Sequence, residues 1–185
     1  MPTKQRIIYF LIKLVVFSTL AAFVFAFRDY HVENLKPFIG ALMLLYGTEG
    51  LLFEILSHRK KFYYAPKVYL ALIEFIFGIV LIAAPLPFDH VCVIWATWSI
   101  IRESYEIKEI VTDFKTVAPR VLSGVESIIV IVFSVLLILN PMEHHAAIHM
   151  GLLVAELILS PLVVLIDEFL LYRKAKRKAP DDNAE

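Results

Sequence analysis

Several common functional classes are excluded by what this sequence lacks. A single cysteine, Cys92, leaves no partner for an internal disulfide and no paired-cysteine metal site. Glycine occurs only six times, in no dinucleotide-binding or phosphate-cradling arrangement. There is no nucleophile elbow and no His-Glu-x-x-His pair, so neither an enzyme nor a bound cofactor is expected. Basic and acidic side chains balance at 18 each, so no overall field recruits nucleic acid. Charged residues are also few, 19% against the roughly 25% of soluble domains.

Apolar residues fill that space. They make up 59% of the 185 residues, against the roughly 45–50% usual for soluble chains. The mean hydropathy of +0.74 excludes a disordered chain and argues against a soluble domain. Six long apolar runs stand out, at about 7–27, 37–56, 68–84, 91–110, 121–139 and 146–166. A helix rises ~1.5 Å per residue, so each run suffices for a ~30 Å hydrocarbon core. Buried strands would be shorter and would need turn signals these runs lack. The first run follows Lys4 and Arg6, but it is long for a signal peptide and Phe25-Ala26-Phe27-Arg28 is a poor cleavage site, so it is expected to be retained.

Lysine and arginine set the expected orientation. Lys4, Arg6, Arg59, Lys60, Lys61, Lys67, Lys108, Lys115, Arg120, Arg173, Lys174, Lys176, Arg177 and Lys178 fall at one end of the runs, and only Arg28 and Lys36 at the other. Cytoplasmic loops collect such residues, which places both termini in the cytoplasm of an inner or plasma membrane. The basic clusters can also touch anionic lipid headgroups. Nothing in the sequence speaks for a homo-oligomer, and residues 179–185 form a short polar tail expected to be disordered.

The runs also repeat. Lys13, Glu74 and Glu126 each stand about two turns into an odd-numbered run, and those runs end in Asp29-Tyr30-His31, Asp89-His90 and Glu143-His144-His145. Pro85 and Pro141 close the second and third of them. The expected fold is an all-α membrane protein with six transmembrane helices in three tandem hairpins, about 6–57, 66–110 and 119–172, forming one domain over 1–178.

Two constellations carry the candidate chemistry. Each run has one ionisable residue in its inner half: Lys13, Glu49, Glu74, Arg102, Glu126 and Glu156. Charges at such depth usually face a bundle interior and pair there. Two cations cannot neutralise four carboxylates, and burial and mutual repulsion both disfavour ionised carboxylates. One or two of the four is therefore expected to hold or share a proton at neutral pH, which suits a proton relay. The competing reading is polar glue between helices, with Lys13 bridging carboxylates and Arg102 forking to Glu106. Glu54, Glu103, Glu106, Glu109, Asp167 and Glu168 are expected in a salt-bridge belt at the cytoplasmic boundary.

The second constellation is the outer face, which carries His31, His90, His144, His145 and His149 beside Asp29, Asp89 and Glu143. Histidine changes charge near its unperturbed pKa of ~6.5, so this face is a candidate external pH sensor. His145 and His149 have i,i+4 spacing, but no established ligand pattern accompanies them and no metal is expected. Gly47, Gly50, Gly78 and Gly151 are expected at close helix contacts, and Tyr63, Tyr64, Trp95 and Tyr172 in interfacial belts, with Trp98 deeper. Ser160-Pro161 is expected to kink the last helix.

From the three hairpins and from segments such as Ile39-Gly40-Ala41-Leu42-Met43-Leu44-Leu45-Tyr46-Gly47 and Phe77-Gly78-Ile79-Val80-Leu81-Ile82-Ala83-Ala84-Pro85, the chain to about Tyr172 resembles the HdeD-like family of small acid-resistance membrane proteins. The resemblance implies a six-span fold and a role in envelope or acid-stress physiology. The alternative is a non-catalytic membrane scaffold whose interior charges only hold the bundle together.

Overall fold

The computed structural model describes residues 3–58, 66–112 and 116–178. Among them are seven helices and no strand: α1 (Thr3–Ala26), α2 (Arg28–Glu33), α3 (Leu35–His58), α4 (Pro66–Ala83), α5 (Phe88–Thr112), α6 (Val117–Leu139) and α7 (Glu143–Lys178). The Arg59-Lys60-Lys61 run, Tyr63, Tyr64, Lys115 and the 179–185 tail lie outside the described residues. Three stretches, Leu35–Leu56, Val117–Leu139 and Glu143–Arg173, are long and apolar enough to cross a membrane, and Phe10–Ala26 is a shorter apolar stretch.

Each apolar run forms a helix, and proline sets two of the breaks. Leu86 N–H donates to Ala84 O across Pro85, and Met142 N–H donates to Asn140 O across Pro141, both at 2.9 Å. An i to i+2 bond is an inverse γ-turn, whose central φ is close to the value proline locks. The first break has no proline, and the chain makes the short α2 there. α7 runs through Pro161 as one helix of 36 residues.

Packing does not follow chain neighbours alone. The closest helix pairs are α3 with α4, α5 with α6 and α1 with α7, followed by α6 with α7. Glycine explains the tightest of them. A Cβ on Gly47 would lie 2.7 Å from both Ala71 O and Phe75 N, and one on Gly78 would lie 2.7 Å from Gly40 O. With Gly50 against Ala71, these positions let the α3 and α4 backbones meet directly, as the sequence spacing suggested. Gly151 has open space around it and makes no such contact. Lys36 Nζ closes the pair by donating to Ala84 O at the C-terminal end of α4, 2.8 Å away.

The distribution of polarity is inverted on α6. Its buried face carries Ser123, Ser127 and Ser134 beside Val130 and Leu137, while Val121, Leu122, Val125, Ile128, Val132, Val135 and Leu139 are exposed. In water that arrangement would leave a large apolar patch uncovered. Against hydrocarbon it is the stable one, because lipid provides no driving force to bury leucine and penalises exposed hydroxyls. The core itself gathers Phe17, Met43, Tyr46, Trp95, Trp98, Met150, Leu153 and Leu157 around the bundle axis.

Candidate functional site

The site is built along one stripe of α5. Trp95, Ser99, Arg102, Glu103 and Glu106 recur at three- and four-residue intervals, so they share a face. Arg102 is its centre. Its Nη2 donates to Glu156 Oε1 of α7 at 3.0 Å and to Glu106 Oε1, one turn away on α5, at 3.4 Å. The guanidinium lies 3.5 Å from the centroid of the Tyr46 ring of α3 and 5.7 Å from that of Trp98. A guanidinium held over an aromatic face can still direct N–H groups to two carboxylates, a combination lysine cannot reproduce.

Carboxylates crowd this cation. One oxygen from each of Glu103, Glu106 and Glu156 lies within 4.8 Å of the others, and Glu103 is 1% exposed. Glu103 is turned into the bundle, while Glu106 is half-buried beside it. Glu54 and Asp167 are buried as well. Asp167 Oδ1 accepts from both the backbone N–H and the hydroxyl of Thr116, the N-cap residue of α6, so α7 anchors the start of α6.

The six residues expected at common depth have different partners. Arg102 and Glu156 form the central pair. Glu74 of α4 is buried and accepts from Trp98 Nε1 at 3.0 Å. Glu126 is half-buried, with Oε1 enclosed and lacking a hydrogen-bond partner, and feels the charges of Glu156, Glu106 and Arg102. Lys13 instead pairs with Glu49 at 3.2 Å, and its Nζ lies 5.3 Å from the Phe17 ring. Lys13–Glu49 and Trp98–Glu74 therefore join α1 to α3 and α4 to α5 through side chains, where the backbones do not pack closely.

The histidines separate into two groups. His90, His144, Asp29, Asp89 and Glu143 are exposed, and His145 is half-exposed with its Nδ1 2.7 Å from Asn140 O. His149 does not belong to the outer surface. It is 2% exposed, its Nε2 is 3.2 Å from Ser99 Oγ, and its ring meets the edge of fully buried Trp95 at 4.6 Å. The expected interfacial position of Trp95 is corrected by the same contact. With His149 committed to Ser99 and His145 to Asn140, the i,i+4 pair is not assembled as a ligand set. The sequence alone does not join the carboxylate cluster with Tyr46, Ser99 and Trp95 into a unit. The three- and four-residue spacing of Trp95, Ser99, Glu103 and Glu106 on α5 is a signal for that stripe, while no local signal marks Tyr46 of α3 as its neighbour.

His31 is also buried. It stacks on Phe38 at 4.2 Å and tilts against Phe23 at 5.2 Å, with Nε2 enclosed and without a partner. Burial pushes its pKa below the ordinary value of 6.5, because the aromatic enclosure solvates imidazolium poorly. Unfolded His31 therefore binds its proton more tightly than folded His31. Its stabilising contribution is complete above pH ~6.5 and is lost as pH falls through the lower folded value. The melting temperature in detergent is expected to drop between pH 7.5 and 5.5, and His31→Phe, which keeps the aromatic packing, to drop less. Equal slopes for the two proteins would refute this.

Compared with family models, curated proteins and solved structures, the chain gives no match.

Proposed function

We propose that the chain is a six-span protein of the inner or plasma membrane, with both termini cytoplasmic, whose Arg102-centred carboxylate cluster takes up and passes protons during envelope acid stress. The observation that carries the reading is the convergence of Glu103, Glu106 and Glu156 on one guanidinium inside the bundle, with Glu74 and Glu126 near enough to feel its charge. Carboxylates that outnumber their counter-charges in a dry interior compete for protons, and a chain of such competitors is what a proton relay needs. The basic residues support the orientation, and the exposed apolar face of α6 supports the bilayer. The resemblance to the HdeD-like family supports the acid-stress setting.

The stacking of Arg102 on Tyr46 also suits a scaffold in which the cluster only locks helices together. The two readings separate in vesicles. With the full chain in proteoliposomes containing a pH dye and a potassium diffusion potential, wild-type protein is expected to carry protons. Glu156→Gln is expected to slow them by about tenfold or more, since removing a positioned acid–base group has effects of that order or larger. Glu74→Gln and Glu126→Gln map the branches. No flux above protein-free vesicles, or flux unchanged by all three substitutions, overturns the relay.

A further inference from the structure

The route by which a proton would reach the cluster is suggested by what lies one and two turns from it. On α7, His149, Leu153 and Glu156 stand at i, i+4 and i+7 and therefore on one stripe, facing Trp95, Ser99 and Arg102 of α5. Ser99 and Trp95 are the polar and aromatic neighbours of His149. Two nitrogens at this place, His149 Nδ1 and Trp95 Nε1, are enclosed without hydrogen-bond partners. Buried polar atoms are nearly always satisfied, and two orphans at adjoining rings mark a place where a transient water or proton is received.

Between His149 and Glu156 the polar file is interrupted. Along α7 seven residues rise by roughly 10.5 Å between His149 and Glu156, and along α5 Glu103 stands one turn, roughly 6 Å of rise, beyond Ser99, each too far for direct transfer. Leu153 fills the stripe between them, buried, with fully buried Met43 and Met150 in the same core. Apolar constrictions of this kind stop conduction by excluding water.

We infer that His149 and Ser99 form the outer station of the proton route and that Leu153 is the apolar gate between this station and the Arg102–Glu156 cluster. This rests on the proton-relay reading above. At the station, neutral His149 accepts a proton at Nδ1 and releases the one on Nε2 to Ser99 Oγ. The hydroxyl passes its own hydrogen on as the new O–H bond forms. Ser99 is unchanged, and the ring is left in the other tautomer, to be reset by rotation or by proton exchange on the same side. Hydration past Leu153 then carries the proton to a carboxylate of the cluster.

The test uses the same proteoliposome flux assay with His149→Gln, Leu153→Ala and Glu156→Gln. The expected pattern is opposed: His149→Gln lowers flux by about tenfold, while Leu153→Ala raises it by a similar factor because a narrower side chain admits water. Both residues are buried in the same core, so general loosening of the bundle would move both variants in the same direction. Changes of the same sign overturn the inference. So does wild-type flux in His149→Gln or no gain in Leu153→Ala, each measured while Glu156→Gln remains slow, which leaves the relay itself intact. If Glu156→Gln is also at the wild-type level, the relay reading falls instead.

Discussion

Replacing Gly47 or Gly78 with leucine is expected to leave almost no folded protein in a detergent extract, although neither position touches the charged cluster. The atoms that a side chain would meet decide the size of the effect. At Gly47 they are Ala71 O and Phe75 N, both at 2.7 Å, and at Gly78 they include Gly40 O at 2.7 Å. Backbone atoms of a helix cannot swing aside, so even a methyl group must push α3 and α4 apart along their contact. Overpacking costs about 1–3 kcal/mol when a core can adjust. Alanine at Gly47 is therefore expected to lower the melting temperature by about 5–10 °C in a domain of this size. Leucine asks for several times that separation, against a total stability of about 5–15 kcal/mol. Gly40 first meets the flexible Ile82 side chain at 2.6 Å, so Gly40→Ala is expected to be milder than Gly47→Ala. Gly151 sets the opposite limit. Nothing lies within 4 Å of its Cβ position, so Gly151→Ala removes a helix penalty of about 1 kcal/mol and is expected to raise the melting temperature slightly. Thermal unfolding of purified variants checks the order, and a leucine variant at Gly47 that melts like wild type would show that the two helices do not meet as described.

How much of this was legible depends on the range of the signal. Helix existence, the breaks at Pro85 and Pro141 and the close-contact role of Gly47 and Gly78 follow from neighbours within a few residues, and a sequence reader can find them. α2 could not be found that way. His31 and Val32 are held by Phe23, Phe38 and α7, and nothing in the local pattern of Asp29-Tyr30-His31 marks a helix. The i,i+4 pairing of Arg102 with Glu106 was legible in the spacing, but the partners on other helices were out of reach. Lys13 meets Glu49, Glu74 meets Trp98 and Arg102 meets Glu156, and these pairings depend on which helices close upon one another. Burial at Glu103 was not legible from its distance to the end of the run, because it comes from rotation: one turn from Ser99, the residue faces the core.

The largest effect on the cluster is expected from Arg102→Met. The substitution retains length and apolar contact with Tyr46 but removes the group that bonds Glu156 and Glu106. Buried Glu103 and Glu156 and half-buried Glu106 would then face one another with no cation in contact. Breaking a buried ion pair from one side costs about 3–5 kcal/mol, because the surviving charge has neither water nor partner. The melting temperature of Arg102→Met in detergent at pH 7 is thus expected to fall by about 6–20 °C. Arg102→Lys is expected to recover little of it, since an ammonium held over Tyr46 cannot also direct N–H groups to two carboxylates. Glu156→Gln alone should cost less, because Arg102 keeps Glu106 and the amide oxygen still accepts a hydrogen bond. Combining Arg102→Met with Glu156→Gln is the decisive case. If the penalty is unpaired charge, neutralising Glu156 returns part of the stability lost with Arg102, and the double variant melts above Arg102→Met by a coupling of about 1–3 kcal/mol. If Arg102 matters only as a large side chain filling space beside Trp98, the two losses add and the double variant melts below either single one. The sign of that difference separates charge from volume in the centre of this bundle.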